Sequence, residues 1–210
     1  MNHIDVKPVK TQYDYFEDYW IIDGIPIVSY LHQHTSLSFS ALGLLPAWSG
    51  KLVSQWENDF IWELVNSKEE LNVPILVCED DCDLSCIVIV AHIRKIENIV
   101  YWDKIGLLNH SNMNRREYTQ SGILFLEAYS EEDWQRYGDN IAIEPYGSPE
   151  YWNWVNKNFH EESIRRLRNY LKPYMQKDQN INWIWFPEWK FEKEEYETMI
   201  QQYQKFRDIP

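Results

Sequence analysis

The sequence predicts an α+β fold: a single domain over residues 1–210, with a central, mostly antiparallel sheet and flanking helices. Three observations carry this. Ile- and Val-rich segments of strand length follow one another between residues 74 and 102 with no helical pattern between them, and strands joined in that way pair antiparallel. Four-residue apolar spacing, the mark of an amphipathic helix, falls outside that block, at Leu52, Trp56, Phe60 and Leu64. The composition, 44% hydrophobic and 25% charged over 210 residues, is that of an ordered chain able to bury a core without a disulfide framework.

Taken in order, Tyr19-Trp20-Ile21-Ile22-Asp23-Gly24 reads as a short strand ending in a turn, and Pro26 fits the first turn of a helix running to about Leu31. Thr35 to Gly50 reads as loop, with Gly43, Pro46 and Gly50 as breakers. Leu52 to Leu64 is the amphipathic helix, with Val53 and Ile61 beside its stripe. Pro74–Cys78 and Cys86–Ile93 are strands separated by the acidic turn Glu79 to Asp83. Ile99–Trp102 and Ile123–Tyr129 follow as third and fourth strands. Ser130 caps a short acidic helix that Gly138 ends, and Ser148 with Pro149 opens another. Glu161 with Arg165 and Glu162 with Arg166 are i,i+4 pairs on a helix that buries Ile164, Leu167 and Leu171 and that Pro173 limits. Ile181–Phe186 is a strand, and Phe191–Phe206 a final helix.

The charge is −13, and 11 Trp, 14 Tyr and 8 Phe accompany it. Residues 1–100 hold 15 acids and 6 bases and residues 101–210 hold 18 and 14, so −9 of that surplus lies in the first half. Phosphate contacts need Lys and Arg, so nucleic acid is excluded as the expected partner. An anionic membrane surface is disfavoured for the same reason. The start of the chain has no basic segment followed by an apolar run, and no stretch approaches the ~20 apolar residues of a membrane-spanning helix. The expectation is a cytoplasmic protein whose three cysteines are free thiols.

Few motifs carry chemistry. Cys78, Cys82 and Cys86 lie four apart, without the paired two-residue gap of common zinc sites, and His92 is the nearest fourth ligand. The expectation is no metal and no cofactor. Asp81-Cys82-Asp83-Leu84-Ser85 resembles the start of a calcium loop, but Cys86 replaces the required Gly and His92 the closing Glu. His32 and His34 alternate, and His160 precedes Glu161 and Glu162; neither matches a zinc-protease pair. The glycines are isolated, and no Ser sits in a Gly-x-Ser-x-Gly elbow. No catalytic residue is assigned.

Two acidic segments remain. Tyr13 to Trp20 interleaves rings with Asp14, Glu17 and Asp18, and Glu79, Asp80, Asp81 and Asp83 crowd one turn. Carboxylates beside aromatic rings receive Lys and Arg by ion pairing and cation–π contact. Asp14, Glu17, Asp18, Glu79, Asp80, Asp81 and Asp83 are therefore the candidate partner-binding residues, with Trp20 as the buried anchor.

The run Tyr19 to Pro26 with Leu31 behind it, and the run Pro74 to Cys86 followed by Val100, Trp102 and Ile105-Gly106, resemble bacterial immunity proteins of polymorphic-toxin and contact-dependent inhibition systems. The resemblance covers roughly residues 16–130. It implies a protein without catalytic residues that binds a cognate toxin domain in the cytoplasm and blocks it, the toxin being commonly a basic nuclease. A hydrolase with carboxylate or metal chemistry, and an acidic interaction module without a toxin, are the alternatives that the residues leave open.

Overall fold

The computed structural model describes residues 1–112 and 167–207, with isolated positions between them. The fold is α+β with a central antiparallel sheet. The chain divides into two compact units, one of residues 1–108 with 181–210 and the other of residues 109–180.

The first unit opens with three strands: β1 (Ile4–Lys10), β2 (Phe16–Ile22) and β3 (Ile25–Pro26). β1 and β2 pair antiparallel from Ile4↔Ile22 to Lys10↔Phe16. Asp23 and Gly24 both have positive φ, 48° and 85°, which is the Asp-Gly two-residue turn whose twist matches a hairpin. Pro26 then caps α1 (Ile27–His34), which buries Ile27, Val28 and Leu31.

The larger sheet runs in the order β4 (Leu44–Pro46), β5 (Leu71–Cys78), β6 (Val88–Ile96), β7 (Ile99–Leu108), β8 (Ile181–Trp185), and β9 (Trp189–Glu192) pairs with the other half of β7. All of its pairings are antiparallel. β5 is buried on both faces from Leu71 to Val77, which explains its unbroken apolar run. α2 (Gln55–Asn66) and α4 (Lys193–Arg207) complete the unit.

Several boundaries differ from the sequence expectation. β1 is a strand that Pro8 and two lysines concealed; it lies at a sheet edge, where a missing amide is tolerated. Leu44–Pro46, expected as loop, is a short strand, because Leu44 and Pro46 find Cys78 and Leu76 as partners. Leu52 and Val53 precede α2 rather than opening it, and Val53 is exposed. Phe191 belongs to β9, paired with Val100, so the last helix begins at Lys193.

The second unit is described at its two ends. A π-helical turn, Leu167–Leu171, runs directly into α3 (Lys172–Met175). Pro173 does not limit this helix; it sits where the π-helical turn passes into α3, and the helix continues to Met175. The Tyr174 hydroxyl donates to the Asn109 carbonyl, and Asn180 Nδ2 donates to the Tyr174 carbonyl at 2.9 Å. The expected strand Ile123–Tyr129, the helices begun by Ser130 and Ser148, the pairs Glu161–Arg165 and Glu162–Arg166, and Ile164 lie outside the described residues.

A cluster of indoles forms the centre of the first unit. Trp20 of β2, Trp48 of the segment after β4 and Trp102 of β7 are all fully buried. The Trp20 ring lies 4.9 Å from Trp48, 5.9 Å from Trp102 and 5.1 Å from Tyr203 of α4. Trp48 Nε1 donates to the Pro74 carbonyl at 2.7 Å, and the Tyr203 hydroxyl donates to the Asp18 carbonyl at 2.6 Å. Both sheets and the last helix thus meet on these rings. Trp20→Ala is expected to lower unfolding free energy by about 3–5 kcal/mol, because the cavity has rigid indole walls on several sides. Trp20→Phe should cost less, since Trp20 Nε1 has no hydrogen-bond partner to lose. Urea unfolding followed by tryptophan fluorescence measures both.

Candidate functional site

The two acidic segments meet at one end of the first unit. β1 and β2 are joined by the loop Thr11 to Tyr15, closed by the Thr11 amide donating to the Tyr15 carbonyl at 2.8 Å. Asp14 takes a positive φ of 69° there, as Asp tolerates in tight loops. β5 and β6 are joined by the acidic turn. Its first part is one helical turn, in which the Cys82 amide donates to the Cys78 carbonyl at 3.0 Å. The bond that brings the loops together is Tyr15 Oη donating to Glu79 Oε1 at 2.5 Å. Partial burial first, and then Glu79, push the Tyr15 phenol well above its ordinary value.

Between the loops lies a cavity of about 250 Å³, lined by Gln12, Tyr13, Gly43, Cys78, Glu79 and Asp80 among others. A Cβ at Gly43 would stand 2.3 Å from Gln12 Nε2, the end of a flexible side chain that could swing aside. Tyr13 and Phe16 are more than half exposed, and Tyr15 is 37% exposed.

The acidic turn is braced from beneath by α2 and the residues before it. The Val53 amide donates to the Cys82 carbonyl at 2.9 Å, and the Leu84 amide donates to Glu57 Oε1 at 3.2 Å. Glu57 is 3% exposed, and burial, helped by the nearby charge of Asp83, pushes its carboxyl up to about 7. Asp83 is spent on local geometry, since its Oδ1 accepts from the Ser85 amide at 2.8 Å and from the Ser85 hydroxyl at 2.9 Å.

The predicted partner-binding residues therefore separate. Asp14, Glu79, Asp80 and Asp81 belong to the two loop tips, with Asp14, Asp80 and Asp81 exposed. Asp14 holds Lys10 at 2.7 Å. Glu17 is buried and neutralised by Lys51 at 2.6 Å. Asp18 falls on the other face of β2 by strand alternation, where its carbonyl serves Tyr203. Trp20 is a core residue with no surface to offer, so it is not the anchor of a contact. The exposed rings at the loop tips are Tyr13, Tyr15 and Phe16, which lay inside the aromatic segment without being singled out.

The histidines and cysteines also sort themselves. His92 is bound through Nδ1 to Asn72 and through Nε2 to Glu70, both at 2.9 Å, away from the cysteines. His34 stacks on Trp185 with ring centres 5.1 Å apart. Cys78 and Cys86 come together across the base of the acidic turn, and Asp81 joins them. Burial first, then hydrogen bonds to Asp81 and Cys78, push the Cys86 thiol up to about 12. Sequence reasoning sought a partner for these thiols in His92 and missed Asp81; the available signal was the two-residue gap in Cys78-x-x-Asp81. No family model, curated protein or solved structure matches this chain.

Glu57 gives the site a pH signature. Its carboxyl holds its proton more tightly in the folded state than in the unfolded one. The stability it contributes is therefore complete below about pH 4.5 and is lost as pH rises through about 7. The loss amounts to roughly 3 kcal/mol at most. Glu57→Gln keeps an acceptor for the Leu84 amide and removes the ionisation. The variant should match the parent at about pH 5 and exceed it at about pH 8, as read by urea denaturation at each pH.

Proposed function

We propose that this chain is an immunity-type binding protein that acts in the cytoplasm, seating its acidic loop tips on a basic toxin domain and blocking it. The observation that carries the reading is the 2.5 Å bond from Tyr15 to Glu79, which sets the aromatic β1–β2 loop against the acidic turn beside a cavity that Glu79 and Asp80 line. Like charges repel, and Glu79, Asp80 and Asp81 crowd one turn with no Lys or Arg between residues 78 and 93, so a basic partner would compensate them; Asp14 on the facing loop already pairs with Lys10 at 2.7 Å. The exposed rings beside them supply apolar area and cation–π faces for Lys and Arg, the residues a nuclease uses against phosphate. The resemblance to immunity proteins over residues 16–130 points to the same class of partner. Among the described residues, no helix is long and apolar enough to cross a membrane.

The decisive experiment takes the product of the gene adjacent to this chain's as the candidate toxin. Its expression should arrest growth, and co-expression of the chain should restore it. With the purified pair, Asp14→Lys combined with Asp80→Lys should slow association about tenfold while changing dissociation much less. Raising salt should slow association of the parent chain too, as the Debye length falls below ~8 Å. Neither substitution touches the core, so circular dichroism should be unchanged. A partner that is acidic, or is a nucleic acid, or an association rate indifferent to salt and to both reversals, overturns the reading. A basic partner whose expression leaves growth unaffected would make the chain an acidic interaction module instead.

A further inference from the structure

We propose that Cys78, Asp81 and Cys86 form a binding site for a thiophilic divalent cation, zinc being the expected one. The two sulfurs and a carboxylate oxygen of Asp81 all lie within 4.8 Å of one another. A tetrahedral zinc with Zn–S bonds of ~2.3 Å sets its sulfurs about 3.8 Å apart, so small side-chain adjustments close the triad on an ion.

The backbone explains why these three residues converge. Cys78 ends β5, and its carbonyl accepts the Cys82 amide in a single helical turn. Residues three apart on such a turn share a face, which stands Asp81 beside Cys78. Cys86 returns on the opposite arm, where the Cys78 amide donates to the Ile87 carbonyl at 3.0 Å. Cys78-x-x-Asp81 is thus the two-residue gap of a zinc turn with a carboxylate in place of the second thiolate. Cys82, the middle cysteine, is turned elsewhere: its Sγ donates to the Glu79 carbonyl at 2.9 Å.

Charge selects a cation as the ligand. Four carboxylates and three thiols fall between residues 78 and 86, and no Lys or Arg occurs from residue 78 until Arg94. Glu79 Oε2 is buried without a hydrogen-bond partner on the same turn. The thiolate pair selects zinc over calcium or magnesium, which prefer oxygen ligands throughout. Asp81 is exposed and both cysteines are half-buried, so an ion has a route from solvent and water completes its coordination. The site shares Asp81 with the proposed toxin-binding edge, but its test reads metal binding alone, so either reading can fail without the other.

The test is titration of the reduced, full-length chain with Co²⁺ under anaerobic conditions, followed by Zn²⁺ competition. One equivalent of Co²⁺ should produce a thiolate-to-cobalt charge-transfer band and the strong visible bands of a tetrahedral ion, and Zn²⁺ should abolish both. Cys78→Ser and Cys86→Ser should each remove the charge-transfer intensity of the shared site. Asp81→Asn should weaken Co²⁺ affinity by about tenfold or more. Cys82→Ser should change nothing, and it controls for the loss of a thiol as such. Circular dichroism of each variant confirms folding. A parent chain without a charge-transfer band at stoichiometric cobalt overturns the proposal. So does a band that survives Cys86→Ser or disappears in Cys82→Ser, or closure of a Cys78–Cys86 disulfide under mild oxidation whose rate stoichiometric zinc leaves unchanged.

Discussion

The packing of Trp20, Trp48 and Trp102 is the interaction on which the rest of the first unit depends. Each indole comes from a different part of the chain: the three-stranded sheet, the segment leaving β4, and the long central strand β7. Tyr203 of the last helix closes the group, and its hydroxyl reaches back to the Asp18 carbonyl. Edge-on contacts such as Trp20 against Trp48, with planes 86° apart, set the positive rim of one ring on the negative face of the other. Such contacts are directional, so they orient the two sheets as well as joining them. Tyr19, next to Trp20 on β2, fixes the same strand to the other sheet by donating to the Leu44 carbonyl at 2.7 Å. With β2 so placed, its hairpin loop projects beside the β5–β6 turn, and the acidic edge follows from the core.

That edge is held by two bonds to the backbone of the acidic turn and two between side chains. The acidic turn is bonded to Val53 and to Glu57, Glu17 is held by Lys51, and Glu79 is held by Tyr15. A turn of four acids left loose would spread its charges apart. Here its carbonyls and amides are committed, so the carboxylates stay close at a cost that the core supports. Glu57 shows the size of the compromise: a buried acid accepts the Leu84 amide well enough to hold the turn, yet burial pushes its carboxyl up to about 7. A neutral amide would do the same bracing without the penalty, so the native residue ties the stability of the turn to pH.

Much of the fold was legible in the sequence, and the reasons are local. Ile, Val and Leu in β5, β6 and β7 meet the demand of strands covered on one or both faces, and no helical spacing competes there. The Asp23-Gly24 turn was legible because positive φ at successive residues admits few residue types. β1 was hidden because an edge strand tolerates Pro8 and the solvent-facing lysines that mimic a loop. The β9–α4 boundary was hidden because Phe191 and Tyr196 continue one apolar pattern while facing different partners: Phe191 sits opposite Val100 in the sheet, and Tyr196 reaches Trp102 from the helix. At the site, composition located the acids but not their direction. Glu17 and Asp18 are neighbours in sequence and on opposite faces of β2. Trp20 stands beside the acids in sequence yet points into the core, whereas Tyr15 stands beside them and reaches Glu79.

The placement of the rings carries a consequence for recognition. An indole at the centre of a core cannot be lent to a partner without opening that core, so among the described residues the buried and the exposed rings serve different ends. The buried pool of Trp20, Trp48 and Trp102 sets the geometry. Among the described residues the exposed pool includes Phe186 and, on one short loop and the start of the strand after it, Tyr13, Tyr15 and Phe16. Tyr15 belongs partly to both, since its hydroxyl is committed to Glu79 while part of its ring remains in solvent. A side chain already held in place loses less freedom on binding than a free one, and that loss is among the larger costs of association. The same bond that sets the loop against the acidic turn therefore also pre-orders a ring beside it. One hydrogen bond thus sets a partly ordered ring beside the carboxylates of the acidic turn, which the turn alone does not carry.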